Sequence, residues 1–465
     1  MIEPLMYIRD RAMAAGIGFM DVRATRREGT SLRLEDGKVH EISQDESLSA
    51  GIRVLDEGAW GFASAKSIER RELDDALNRA LTMARRARTR VLHPAELAKT
   101  ETHTAMITAN VEVDPRSVPL VTKIALLCGL EQQAIAAGQG TIRNTSVYFS
   151  EDCTREAVCN TLGTCVDQEE IRTSLGGSFV AVDGSVRQQA YEYMTNPVGW
   201  EMVDSQRGQT FAAEAGARAA SLLRAKRAPS GKFTVILHPA VTGLFTHEAL
   251  GHNAEADLVF NGESILDGKL GTRIGSEQVT IIDDATIPRI NGSFQFDSEG
   301  TPAQRKVLVD RGILAGYMHS LESAGRFGVR PTGNGRVMSS VHRPLVRMSN
   351  TFIAPGKLSF EDLIKDIDSG IYMKGGHWGY VMCERGQYTC HVGEGWMIRN
   401  GQLCEHLRDV SFTGMTLDTL ANIDAVSKDL EFQLGGMCGK NGQGVWVDAG
   451  GPYVRVRNIV VGGQE

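Results

Sequence analysis

The chain is expected to fold as α+β: an N-terminal mixed α/β sheet domain over residues 1–228, then a C-terminal strand-rich, barrel-like domain over 229–465. Three observations carry this. The first half interleaves alternating, strand-like runs with stretches of helical periodicity, the pattern of helices packed on an antiparallel or mixed sheet. Ala225-Lys226-Arg227-Ala228-Pro229-Ser230-Gly231 then interrupts it as a linker. Beyond it, short apolar runs alternate with glycine-bearing loops; glycine makes up 51 of 465 residues, above the usual ~7%, and the excess falls mainly here.

The elements follow in order. Residues 3–16 read as an amphipathic helix. Four alternating strands come next, at Phe19–Arg26, Thr30–Glu35, Lys38–Ser43 and Leu48–Leu55, with Asp36-Gly37 a hairpin signal between the second and third. Ser67–Arg90 is helical and ends in Arg85, Arg86, Arg88 and Arg90, a cationic end that suits a helix C-terminus. A second long helix spans 116–138, a meander of strands 141–195, and an Ala-rich helix Phe211–Ala225. After the linker, Phe233–Leu237 is a short strand and Val241 opens another helix. Strands and glycine loops fill the rest, apart from helices at Glu361–Asp368 and near Leu417–Val426.

Composition excludes some classes. A net charge of −7 argues against a general binder of nucleic acid or anionic membranes. The N-terminus lacks the basic start and apolar block of a secretory signal, and no uninterrupted apolar run nears the roughly 18 residues of a membrane span. A cytoplasmic location is therefore expected. The eight cysteines are accordingly expected to be reduced. Cys153, Cys159 and Cys165, six residues apart, should share one sheet face as small buried apolar groups. No C-x-x-C pair suggests a zinc knuckle or redox site.

The stretch richest in chemistry is His247-Glu248-Ala249-Leu250-Gly251-His252. Imidazole is the commonest neutral metal ligand, and an adjacent carboxylate can take a proton from activated water. The histidines stand at i and i+5, however, about 500° apart on a regular helix, so their rings would diverge by roughly 140°. One ion can hold both only if the helix widens into a π-type turn or ends there, which Gly251 would ease. A third ligand is needed. Glu255 and Asp257 are candidates, as ligands or as partners behind them. Cys438, in Gly435-Gly436-Met437-Cys438-Gly439-Lys440-Asn441-Gly442-Gln443-Gly444, is the stronger one, with Lys440 placed to favour a thiolate. This segment fails as a phosphate loop, because Asn441 stands where a hydroxyl is required.

The run HEALGHNAEAD at 247–257 resembles the active-site segment of the TldD/PmbA family, in its TldD form. So do Gly271–Gly275, Asp297–Pro302, Gly312–Met318, Pro331–Arg336 and Cys438-Gly439-Lys440, in that order. The resemblance implies a metallopeptidase acting on short or unfolded peptides. It implies His247, His252 and Cys438 as metal ligands, and Glu248 as the base that takes the proton of a metal-activated water and returns it to the leaving amine. One divalent metal is expected, zinc first, with iron or cobalt fitting the same donors. It further implies a homodimer, or a heterodimer with a PmbA-like sister lacking the histidine motif. Val445-Trp446-Val447-Asp448 departs from the plainer sequence usual in the family, which puts substrate choice in doubt at Trp446 and Asp448.

No acidic residue lies between Glu322 and Glu361, while Arg326, Arg330, Arg336, Arg343, Arg347 and Lys357 do. This is a solvated basic face or a wall for a peptide carboxylate, with Arg336 the residue to test. His319, His377 and His391 read as polar strand residues rather than ligands. An extended peptide is expected to add to an exposed strand edge. The rival readings are a small-amide metal hydrolase and a non-enzymatic modulator of a partner such as a topoisomerase or toxin.

Overall fold

Residues 1–433 and 435–463 are described by the structure, a computed structural model. Phe19–Glu35 and Lys38–Asp56 are two long strands rather than four short ones, paired from Phe19↔Leu55 to Glu35↔Lys38 with one bulge at Arg33/Leu34. Their polar middles stay in the sheet because Phe19–Glu35 is also paired on its other side, with Ile142–Asn160. Asp36 and Gly37 both take positive φ (46° and 78°), the two-residue turn their sequence demands. A strand not anticipated, Ala59–Ala65, flanks Lys38–Asp56. Ile142–Asn160 continues to Cys165–Asp183, which carries both the parallel strand Thr104–Ile107 and the edge strand Val186–Asn196.

All four long helices of this half pack on one face of that sheet. Ile2–Ala14 and Arg70–Ala87 bury Leu5, Ile8, Leu73 and Leu77 against Val22, Ala24 and Val54. Leu120–Ala137 and Gln206–Leu222 bury Leu127, Leu130 and Phe211 against Leu32, Phe149 and Phe179. Val22, Ala24 and Leu32 have one parity along their strand, hence one face. Leu120–Ala137 is by length and composition apolar enough to cross a membrane, although Lys123, Glu131, Gln132 and Gln133 interrupt it. It packs on the sheet here, and its Lys123 reaches Glu151 at 2.6 Å. The opposite face carries buried charge and meets the C-terminal half, with Arg53 on Glu299 at 2.7 Å and Arg172 on the Asn291 carbonyl at 3.2 Å.

The expectation of eight reduced cysteines is also corrected. Cys159 and Cys165 stand opposite each other across a hairpin and form a disulfide. The shared sheet face was foreseen; the direct cross-strand register was not. Six cysteines remain free.

The C-terminal half enters its sheet early. Lys226–Arg227, within the expected linker, pairs with Gln402–Arg408. Gly231–Leu237, Val454–Gly463, Val410–Met415, Gln387–Arg399 and Ser369–Met382 then pair in a ring, and the last pairs back to the first, closing a five-stranded barrel. The helix Pro239–Phe245 packs against it, with Phe245 fully buried and its ring 5.2 Å from that of Tyr388. Beside it, a second sheet includes Ile281–Asp284, Asn350–Ile353 and Gln443–Gly451. Gly436–Lys440 pairs with Gln443–Gly451 and brings Cys438 to the end of that helix. The later helices are shorter than expected, Phe360–Ile364 and Thr416–Ala421.

Candidate metal centre

Pro239–Phe245 begins at His238, whose Nδ1 accepts the Ala240 N–H, and runs directly into a π-helical turn at Thr246–Gly251. This is the distortion the i, i+5 spacing requires. It turns the His247 and His252 rings onto one side, with centroids 4.9 Å apart and planes at 82°. Gly251 serves by its size rather than its freedom: its φ of −53° is ordinary, but a Cβ there would lie 2.1 Å from Met348 Sδ.

Cys438 closes the cluster from the second sheet. Its Sγ lies 3.2 Å from His247 Nε2 and 3.4 Å from His252 Nε2. The three donor atoms all fall within 4.8 Å of one another. An ion bound tetrahedrally at about 2.0–2.3 Å spaces its donors roughly 3.5 Å apart, so these side chains fit one. Burial alone would raise the Cys438 thiol, yet the two imidazoles overturn that and hold it at about 4. Burial likewise opposes a charge on His252, but Glu255 and Cys438 hold its pKa well above the usual value; Cys438 acts in the same direction on His247.

Behind the cluster stands a chain of charges. Glu255 Oε2 lies 3.2 Å from His252 Nδ1 and accepts from Lys440 Nζ at 3.0 Å; Lys440 also reaches Asp257 at 2.7 Å. Despite its burial, Glu255 is held at about 2, chiefly by Lys440 and His252. Glu255 thus contacts His252, Asp257 contacts Lys440 behind it, and both stand outside the three-donor group. Lys440 works through these carboxylates; the imidazoles, not Lys440, depress the thiol. Arg347, fully buried, donates to the Cys438 carbonyl and to the Gln443 carbonyl, and so pins the Cys438 hairpin.

His247, Glu248, His252 and Cys438 line a cleft of about 1030 Å³. Glu248 is half-buried beneath Gly379, where a Cβ would come within 2.7 Å of its Cγ. The expectation for Arg336 is not met. It lies outside the cleft lining, donates to the Met348 carbonyl at 2.7 Å and stacks on Phe294 at 4.8 Å. The segment 322–361 is thus no wall of the cleft. Its Arg326 pairs with Glu322 and Phe260, and Arg347 is internal. Trp446 and Asp448 also face away from the cleft, which Val447 and Ala449 line on the same strand; Trp446 lies against Arg172.

Cationic side chains do line the cleft, Lys374 of the barrel and Arg207 and Arg218 of the N-terminal half, beside the acidic Glu192 and Glu214. Arg207 and Arg218 line the cleft and share Glu192 at 3.2 and 3.0 Å, and Arg218 also holds the Tyr191 carbonyl at 2.7 Å. Nothing in the local sequence marks these residues, because only the docking of the two halves sets them opposite the histidines. Gly379 went unremarked in the sequence, where its cluster with Gly375 and Gly376 was the available signal. His377 and His391 lie on strands, His377 on the cleft wall and His391 against Trp378.

A distorted helix thus presents two imidazoles and a carboxylate beside a cysteine from the facing sheet, a donor set that could hold a metal ion. The chain belongs to the PmbA/TldA metallopeptidase family. The family's domain 1 matches residues 20–84, its central domain 113–223 and its C-terminal domain 230–463. A metalloprotease of Methanothermobacter thermautotrophicus is 38% identical over 99% of this chain and 97% of its own. A metalloprotease TldD homolog of Haemophilus influenzae is 30% identical over 99% and 96%, and a zinc metalloprotease TldD homolog of Saccharolobus solfataricus 28% over 98% and 99%. The fold matches TldE from Thermococcus kodakarensis (TM-score 0.78, 18% identity, 99% and 100% covered). It also matches a Thermotoga maritima protein described as a modulator of a DNA gyrase (TM-score 0.80, 22% identity, 99% of each chain).

Proposed function

We propose that this chain is a metal-dependent peptidase that cleaves short or unfolded peptides, with Glu248 as general base. The observation that carries this reading is the convergence of His247 Nε2, His252 Nε2 and Cys438 Sγ within 4.8 Å, on a cleft that Glu248 also lines. Those three atoms would hold one divalent ion, zinc by the donor set and by the name of one relative. Bound there, the ion would supply Lewis-acid chemistry, making a water acidic and polarising the scissile carbonyl. The protein's own residues do the rest. Glu248 takes a proton from the attacking water and delivers it to the departing amine. Glu255, backed by Lys440, holds His252 in one orientation. The peptide lies extended along a sheet edge on the cleft wall, bound mainly through its backbone.

The test is Glu248→Gln. Peptide turnover should fall by about 100-fold or more while the metal stays bound, the scale of losing a general base. Turnover unchanged in Glu248→Gln would remove Glu248 as the base; no peptide turnover by the metal-loaded wild type would favour the second reading, a modulator that acts by binding, which the description of the Thermotoga maritima structure suggests. Comparing hexapeptides with short acyl amides separates a peptidase from a small-amide hydrolase. The cleft volume of about 1030 Å³ favours the peptide.

A further inference from the structure

Past Met373, the barrel strand Ser369–Met382 loses one neighbour. Gly231–Leu237 pairs only with Gly370–Met373, so among the described residues Lys374–Met382 pairs with Gln387–Arg399 alone. This half-paired stretch forms a wall of the cleft. Past a bulge at Gly376/Trp378, successive side chains of Trp378–Met382 point to opposite faces. The Gly379 face looks onto Glu248 and Leu244, and its cross-strand partner Cys390 is fully buried. Trp378 and Tyr380 occupy the other face, opposite His391 and Thr389. They are 52% and 61% exposed, and Trp378 is braced flat on His391 with centroids 4.0 Å apart. Among the described residues, these two large rings on the open face of the strand beside the candidate metal centre have His391 as their one stacked ring.

We propose that Trp378 and Tyr380 are specificity-determining residues for the peptide. A substrate strand laid along Trp378–Met382 carries alternate side chains onto these two rings, and the ones between them onto the Gly379 face toward Glu248. The substrate class is an extended peptide with bulky apolar or aromatic side chains two residues apart. Rings spaced i, i+2 on a strand stand roughly 6.6 Å apart, which is also the spacing of side chains on one face of the peptide. Each ring favours an aromatic over a glycine by about three- to tenfold, the strength of one aromatic contact. This inference rests on the peptidase reading for its substrate, but its signature is a pattern of preference rather than turnover itself.

The experiment exchanges each position of a hexapeptide in turn among Phe, Gly and Asp. It measures kcat/KM with the metal-loaded full chain, and equilibrium binding of the same labelled peptides to Glu248→Gln. The expected result is a Phe preference at two positions two apart, indifference between them, and loss of the preference in Trp378→Ala and Tyr380→Ala. Trp378→Phe should keep it, which separates recognition from a folding defect. A flat profile, a preference without the two-residue period, or a preference unchanged in Trp378→Ala overturns the inference. Binding that shows the period while the wild type cleaves none of the peptides would support the inference and sink the peptidase reading.

Discussion

Two buried histidines of the C-terminal half meet opposite fates. His319 is packed edge-on against Tyr317 and Phe327, its Nδ1 has no hydrogen-bond partner among the described residues, and burial draws its pKa down to about 4. His252 is similarly withdrawn from water, yet a carboxylate stands 3.2 Å behind one ring nitrogen and a thiolate 3.4 Å from the other. Burial is the same penalty in both places; only the second ring is offered charges that outweigh it. What marks a candidate ligand in this molecule is therefore the group behind the ring, here Glu255 tied to Lys440. Depth alone gives an inert aromatic residue.

The largest effect expected from that contrast is in acid. A pKa of about 4 in the folded chain lies below the unfolded value near 6.5. The neutral His319 ring thus contributes stability that is fully present above pH 6.5 and is lost as pH falls toward 4, by about 3 kcal/mol at most. Urea unfolding at pH 7 and pH 4.5 should show this slope, and His319→Phe should reduce it. His238, held near 3 by burial and Lys374, supplies a similar slope that the variant leaves in place. An unaltered slope in His319→Phe would mean that His319 has a partner in solution.

Next is Glu255→Gln, which makes His252 more like His319 by removing the charge behind it. Metal affinity, measured by competition with a chelator, should fall about 10- to 100-fold, the usual consequence of losing a group that orients a ligand. Unchanged affinity would make Glu255 a bystander. The smallest effect is expected at Arg336→Met. Burial and the neighbouring Arg347 lower this guanidinium to about 10, and it braces Phe294 and the Met348 carbonyl away from the cleft. The variant should lose stability while the KM for peptides stays unchanged. A raised KM would return Arg336 to the substrate.

Much of this centre was legible in the sequence because local geometry left few options. Histidines at i, i+5 on one helix can converge only through a wide turn, and the turn is there at Thr246–Gly251. Cys438 was readable through its family segment rather than through any spacing, since 186 residues separate it from His252. What could not be read depends on which surfaces meet. Arg207, Arg218 and Tyr191 become cleft residues only when the first sheet docks on the barrel, and Arg336 leaves the cleft because its hairpin faces inward. The Cys159–Cys165 bond escaped for a related reason: periodicity places residues on a face but does not say which two stand opposite. The barrel-like form of the C-terminal domain was foretold, but not that Lys374–Met382 would stay half-paired within it.

The central claim is that one ion is shared by His247, His252 and Cys438. Its most direct test is the metal content of the purified Cys438→Ala variant beside the wild type, with circular dichroism confirming that both are folded. One equivalent of a divalent metal is expected in the wild type and little or none in the variant. A folded Cys438→Ala that holds the same metal, equally tightly, would contradict the three-donor centre.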